Sequence, residues 1–314
     1  MSDFVHQFWA STIDGLTVGS IYALVALGYT LVYGVLQLIN FAHSEIFMVG
    51  TWAALATVGL FGLTSPATGL LLVLIVVVTA AVGAAASAAT AVTVEFVAYR
   101  PLRRRTTSRL AALITAIGAS LALQEIFALA ITRDTRSVHQ RVMEKTNLFS
   151  IGSGEVRSDK LLVFLAALLM MLALDRFVNG TRLGRSIRAT AQDPESATLM
   201  GVNINRVVTL TFLVGGAMAG IAGALYIIYY EQTNYLIGFV LGIKAFTAAV
   251  LGGIGNLRGA LLGGFTIGLI ENYGASFSFV GAQWKDVISF SVLVLVLLFR
   301  PTGLLGESLG KARA

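Results

Sequence analysis

The 314-residue chain has no cysteine, which excludes disulfides, thiolate metal sites and a cysteine nucleophile. It is also poor in charge: Asp, Glu, Lys and Arg make up 12% of residues, against roughly 25% in soluble domains. The three histidines, His6, His43 and His139, stand too far apart for ligand spacing, and no H-E-x-x-H, G-x-S-x-G or G-x-x-x-x-G-K-[ST] pattern occurs. The residues therefore offer no means of hydrolysing a nucleotide or of running metal chemistry. GGIGNLRG, residues 252–259, resembles a phosphate loop only superficially, because it follows an apolar segment and lacks the lysine. Four prolines beside 33 glycines point to helices packed through small residues rather than to collagen-like or disordered sequence.

What is present is apolar. Hydrophobic residues reach 56%, mean hydropathy is +0.82, and the charges cluster in short stretches. The windows between them are long enough for a bilayer core of about 30 Å, which takes roughly 20 helical residues. They run continuously instead of alternating, which disfavours a transmembrane β-barrel. The net charge of +6 is the signature of arginines flanking membrane helices, not of nucleic-acid binding. The first fifteen residues lack the basic start of a signal peptide, so the first apolar segment is expected to be retained.

Apolar segments are expected near residues 12–38, 46–63, 70–98, 110–131, 161–178, 207–230, 237–251, 260–273 and 287–299. Arg100, Arg103, Arg104, Arg105 and Arg109, with no acid among them, place the 99–109 stretch in the cytoplasm. Arg182, Arg185 and Arg188 place the polar insert at 180–206 on the same side, while the mixed-charge stretch at 133–160 reads as an outer loop. The expected fold is an all-α polytopic bundle of nine spans, N-terminus outside and Lys311 and Arg313 inside, or eight spans if 237–251 is re-entrant. Gly216, Gly220 and Ala224 recur every four residues, as do Gly255, Gly259 and Gly263, and both rows read as close-packing stripes.

The polar insert carries helix punctuation. Asp193 suits an N-cap, Pro194 the first helical position, Glu195 the positive end of the helix dipole and Gly201 a C-cap position, predicting a short helix over 194–200. Asn203 or Asn205 then starts the next span.

Glu195-Ser196-Ala197 followed by Gly201 is similar to the E-A-A-x-x-x-G loop of bacterial ABC-importer permeases, which docks on the ATP-binding subunit. Over nearly its whole length the chain resembles the H-type permease subunit of branched-chain amino acid importers. The matching stretches, in order, are GLTVGSIYALVALGYTLVYG, INFAHSEIFMVG, EFVAYRPLR, LITAIGASLALQ, GRSIRATAQDPESATLMGVN, AMAGIAGAL, GIKAFTAAVLGGIGNLRGALLGG and RPTGLLG. Ser44 departs from the glycine that usually follows N-F-A-H in this family, and the leucine-proline closing the general importer loop motif is absent. The resemblance implies an inner-membrane, non-enzymatic subunit that moves Leu, Ile or Val. Its implied partners are a homologous second permease, two ATP-binding subunits holding ATP and Mg, and a periplasmic or lipid-anchored binding protein; no cofactor is implied in this chain. It assigns coupling to Asp193, Pro194, Glu195, Ala197 and Gly201. Urea or short amides on the same machinery, or an autonomous proton-coupled transporter, are the alternatives.

Ionisable groups at membrane depth cost roughly 2.5–3.5 kcal/mol each on insertion scales. Asn40, His43 and Glu45 at a helix break either line the translocation path or its gate, or form a structural turn. Lys244 and Glu271 read either as an ion pair or as part of a gate.

Overall fold

The computed structural model describes residues 2–38, 40–105, 108–276, 281–300 and 302–306; Lys311 and Arg313 lie outside them, as do the side chains of Arg104, Arg105 and Arg109. Helices dominate: α1 (Ser2–Leu36), α2 (Ala42–Leu60), α3 (Gly69–Val94), α4 (Arg100–Arg105), α5 (Arg109–Ala130), α6 (Ser158–Gly180), α7 (Arg182–Gln192), α8 (Pro194–Leu199), α9 (Ile204–Tyr230), α10 (Ile237–Gly252), α11 (Leu257–Ser276) and α12 (Lys285–Phe299). A π-helical turn, Glu95–Tyr99, joins α3 to α4. The arginine-rich stretch expected as a loop is thus helical as far as Arg105.

The all-α expectation needs one correction. The 131–157 connection carries β1 (Arg136–Ser137), β2 (Asn147–Ile151) and β3 (Gly154–Arg157), and β4 (Gln232–Thr233) follows α9. Strand β1 pairs antiparallel with β4, and β2 with β3. A surface connection with no partner helix satisfies its backbone in such short ladders.

The helices divide into a centre and a shell. The best 18-residue window of α1 is 94% buried, against 17% in α3, α5 and α6. Leu70, Val77, Leu110, Ile114, Leu169 and Leu298 are all exposed, and on helices this apolar such a surface faces lipid. Five helices, counted among the described residues, are long and apolar enough to cross a membrane.

The connections gather at two ends. Residue Ala67 pairs with Met143, Val138 donates its N–H to Glu231, Lys160 meets Asp14, and the Gly152–Gly154 turn lies against Trp9. At the opposite end Gln37 bonds Ala191, Arg258 meets Asp175, and Leu304 and Leu305 donate to Leu251 and Gly252.

Two helices begin inside this layer. Gly28 of α1, His43 of α2 and Gly215 of α9 meet at one level, and Gly215 lies near the middle of the 27-residue α9. The α1–α2 connection therefore folds back into the layer before α2 starts. Gly238 and Gly242 of α10 lie against Glu45 and Ser44 of α2, so α10 also starts near mid-depth. The 231–236 segment leads down to it, tied to α2 by the Thr51–Thr233 hydroxyl contact at 2.6 Å. The shortness of α10 thus goes with an extended segment before it, residues 231–236.

Close backbone approach sets the helix positions. A Cβ on Gly220 would run into the Gly83 carbonyl oxygen, and one on Gly216 would stand 2.8 Å from that of Ser87. Gly259 and Gly263 pack on Gly252 and Ala248 of α10 in the same way. Gly255 does not: it sits in the α10–α11 turn with φ +99° and nothing within 4 Å of a Cβ. The four-residue spacing is real, but the helix ends at Gly252 and a new one begins at Leu257. Gly252, which the spacing did not single out, is the residue that makes the contact.

These roles separate experimentally. Replacing Gly220 by Val should abolish monodisperse protein or cost more than about 3 kcal/mol, because two backbones must part. Gly255→Ala should cost only about 1–2 kcal/mol, the left-handed penalty alone. Thermal unfolding in detergent measures both.

Candidate functional site

The polar insert forms a knob built from two capped helices. Thr181 caps α7, its hydroxyl accepting from the Gly184 N–H at 2.9 Å. Asp193 ends α7 and starts α8: its Oδ1 accepts from the Glu195 and Ser196 N–H groups at 2.9 and 3.1 Å, and its Oδ2 from the Ser196 hydroxyl. Those bonds, the Ser196 hydroxyl foremost, hold the Asp193 carboxyl below its usual range. Pro194 occupies the first turn, where its missing N–H costs nothing. Gly201 adopts φ +84° and donates to the Thr198 carbonyl at 2.9 Å, while Val202 donates to that of Ala197 at 3.0 Å. Such a reversal needs a residue free to enter left-handed space. Asn203 rather than Asn205 caps α9, accepting from the Arg206 N–H at 3.1 Å.

The helix expected over 194–200 ends at Leu199. Asp193, Pro194, Glu195 and Gly201 are exposed, and Ala197 is buried as the anchor of the knob. Sequence reading missed the tip, where Leu199 and Met200 are 89% and 86% exposed. Two apolar residues just before a capping glycine in a polar stretch were the available signal. The knob is tied down on two sides: Arg188 donates to the Val178 carbonyl and to Asn179 Oδ1 beside α6, and Gln37 to the Ala191 carbonyl from the end of α1.

At the α1–α2 break the structure gathers Asn40, His43 and Glu45, all buried. Asn40 Oδ1 accepts from the Tyr99 hydroxyl at 2.8 Å, the His43 ring meets that of Tyr29 edge-on at 4.8 Å, and Glu45 Oε1 accepts from Ser120 at 3.3 Å. Each retains one buried atom without a hydrogen-bond partner among the described residues: Asn40 Nδ2, His43 Nε2 and Glu45 Oε2. Unpaired buried groups of this kind cost about 1–3 kcal/mol apiece. Ser44 sits in the first turn of α2. Its Cβ fits against Gly242, and its hydroxyl bonds the Phe41 carbonyl at 2.6 Å.

Lys244 and Glu271 are not part of this cluster. Lys244 follows Gly242 by two residues, which carries it about 200° round α10, away from α2. Lys244 Nζ pairs with Glu271 at 2.9 Å and with Asp286 at 2.7 Å, and Glu271 Oε2 accepts from Tyr22 at 2.9 Å and Ser289 at 3.3 Å. Of the two readings open to this pair, the contacts are those of an ion pair, joining α1, α10, α11 and α12. A second buried network was not foreseen. Glu95, in the π-helical turn, meets Arg100 at 2.9 Å, Arg103 at 2.6 Å and Thr209 of α9 at 3.2 Å. Positive-inside counting took those arginines as loop charges and gave no reason to look for an acid one turn back.

A family described as "Branched-chain amino acid transport system / permease component" matches residues 11–297. The chain is 41% identical to the high-affinity branched-chain amino acid transport system permease protein BraD of Pseudomonas aeruginosa, over 96% of this chain and 97% of that one. It is 42% identical to LivH of Escherichia coli K12, over 98% of each. Identity is 26% to the probable branched-chain amino acid transport permease protein LivH of Methanocaldococcus jannaschii, over 94% of this chain and 91% of that one.

Removing Lys244 tests the ion-pair assignment. Lys244→Ala leaves the Glu271 carboxylate buried beside hydroxyls and should destabilise the protein by about 3–5 kcal/mol, whereas Lys244→Met with Glu271→Met should recover most of that. Unfolding midpoints of the single and double variants decide it.

Proposed function

Because the chain belongs to the branched-chain amino acid transport system permease family, we propose that it carries leucine, isoleucine and valine across the bacterial inner membrane. It does so as the membrane-spanning part of an ATP-driven importer and is itself no enzyme. ATP hydrolysis, with its Mg, belongs to separate subunits that press on the α7–α8 knob. A homologous second permease completes the pathway, and a periplasmic or lipid-anchored protein delivers the cargo.

The observation that carries this reading is the knob. A segment with helix caps at Thr181, Asp193 and Asn203 is rigid enough to receive a push, and its exposed Leu199 and Met200 offer apolar surface with no partner in this chain among the described residues. Arginines 100, 103, 182, 185 and 188 gather at the same end, which puts the knob in the cytoplasm by the positive-inside rule. Nine crossings then follow from connections that alternate between the two ends, with α10 as a true crossing and the N-terminus outside. Asp193, Pro194, Glu195, Ala197 and Gly201 form the docking element.

Force on the knob is carried in two directions. Through Asn203 it enters α9, whose midpoint is locked to α3 and α2 at Gly216 and Gly220. Through Gln37 it reaches the α1–α2 break, where Asn40, His43 and Glu45 hold unpaired polar atoms. A change of access requires that these groups exchange partners between two states, since a contact equally good in both shifts nothing. Lys244 and Glu271, already fully engaged, serve as a fixed brace.

Glu195→Lys places a like charge where the dipole and the docking surface favour a negative one. ATP-dependent leucine uptake by the reconstituted complex should fall at least about tenfold, while insertion and ATPase assembly persist. Wild-type uptake in that variant would remove the docking assignment, and leucine uptake by this chain alone on a proton gradient would remove the subunit reading.

A further inference from the structure

At the end of the layer opposite the knob, a cavity of about 940 Å³ opens between α2, the last turn of α5 and the 136–140 stretch. Val49, Trp52, Ala53 and Phe127 form an apolar wall, and Arg136 and His139 stand at the polar side. The volume falls within the roughly 300–1,000 Å³ typical of small-molecule sites. Nothing in the coupling mechanism uses it.

Arg136 is distinguished by its charge environment. The other cations of this connection have carboxylate partners: Arg133 with Glu125, Arg141 and Lys145 with Glu231, Arg157 with Asp159, and Lys160 with Asp14. Arg136 has none among the described residues, although its backbone is well fixed. It pairs in register with Thr233, and Thr233 bonds Thr51 of α2, one residue before Trp52. Arg136, exposed at the edge of the cavity, thereby has its backbone fixed beside an apolar wall. The indole N–H of Trp52 is also without a partner among the described residues.

We infer that this cavity is an acceptance site for an α-amino acid with a branched aliphatic side chain, the carboxylate taken by Arg136 and the side chain by the Val49, Trp52 and Phe127 wall. The inference rests on the permease reading and names the place where its cargo first meets this subunit. Guanidinium and carboxylate match as a forked donor and a paired acceptor. An acidic patch on a delivery protein would answer the guanidinium but leave the wall empty, whereas a phospholipid would set its phosphate on the guanidinium and a tail on the wall and make thiol labelling insensitive to leucine. An amphipathic anion satisfies both. From here the α2–α5 seam leads inward by helical steps, Trp52, Val49 and Glu45 facing Phe127 and Ser120, to the carboxylate with an unpaired oxygen at mid-depth.

The absence of cysteine makes the site directly testable. Ala56, exposed on the cavity wall, is replaced by Cys in the complete importer complex. The rate at which a small water-soluble maleimide labels this chain is then followed with free leucine, with glycine and with the loaded delivery protein. Leucine should slow labelling and glycine should not. Arg136→Gln should raise the leucine concentration for half-protection about tenfold, as expected for one lost charge-assisted contact, and Arg136→Lys should restore part of it. Equal protection by glycine, no shift in Arg136→Gln, or protection by the delivery protein alone would overturn the inference, the last identifying the face as a protein-docking surface. ATP-driven leucine uptake by the same complex separates the two levels. Intact uptake with an unprotected thiol overturns the acceptance site alone, and absence of uptake in the wild-type complex overturns the permease reading beneath it.

Discussion

Everything in this bundle depends on how closely three backbones approach one another where Gly50, Gly83 and Gly220 meet. Between helices already in lipid there is no hydrophobic gain from association, so contact relies on dispersion and polar bonds that only small residues allow to form. Removing side chains at that point brings α2, α3 and α9 within backbone contact and lets Ser87 donate to the Ile46 carbonyl of α2 at 2.8 Å. The centre of α9 is thereby fixed. Its first turn lies outside the glycine contacts and continues from the capped knob, and Thr209, one turn further on, is bonded to Glu95 and Arg100.

Around that fixed centre the polar groups fall into two kinds. In the Lys244–Glu271–Tyr22 network and the Glu95–Arg100–Arg103 network each charge meets an opposite charge. Such sites are costly to disturb, because breaking one partner leaves a charge in a medium that cannot solvate it. The Asn40–His43–Glu45 cluster is the other kind, buried yet incompletely paired. In the proposed transport cycle the braces stay fixed and the helix break between α1 and α2 is the place where contacts are exchanged. The start of α2 inside the layer matters here, since it exposes unbonded backbone groups at mid-depth only where protein surrounds them.

Much of the knob was legible beforehand because capping is local. Asp193, Pro194 and Gly201 act on groups within a few residues of themselves, so their roles follow from order along the chain, and only the helix end shifted by one residue, to Leu199. The Gly255 assignment failed for a related reason. A four-residue period shows which residues share a face only while one helix continues, and the turn at residues 253–256 interrupts it. Lys244 and Glu271 were recognised as opposite charges 27 residues apart, but whether they touch, and whether Asp286 and Tyr22 join them, is a matter of helix packing. Arg136 gave no sequence signal at all, because what distinguishes it is that no carboxylate pairs with it among the described residues.

The sequence by itself determined that the chain is a helical membrane protein, where its apolar segments and charged ends lie, and how its polar insert is capped. Each of these is set by composition or by contacts a few residues long. Only the tertiary structure decided which glycines meet, that α2 and α10 begin within the layer, which buried charges are satisfied and where a cavity opens. Those outcomes depend on backbones far apart in sequence coming within van der Waals distance, and no local period or propensity encodes that approach.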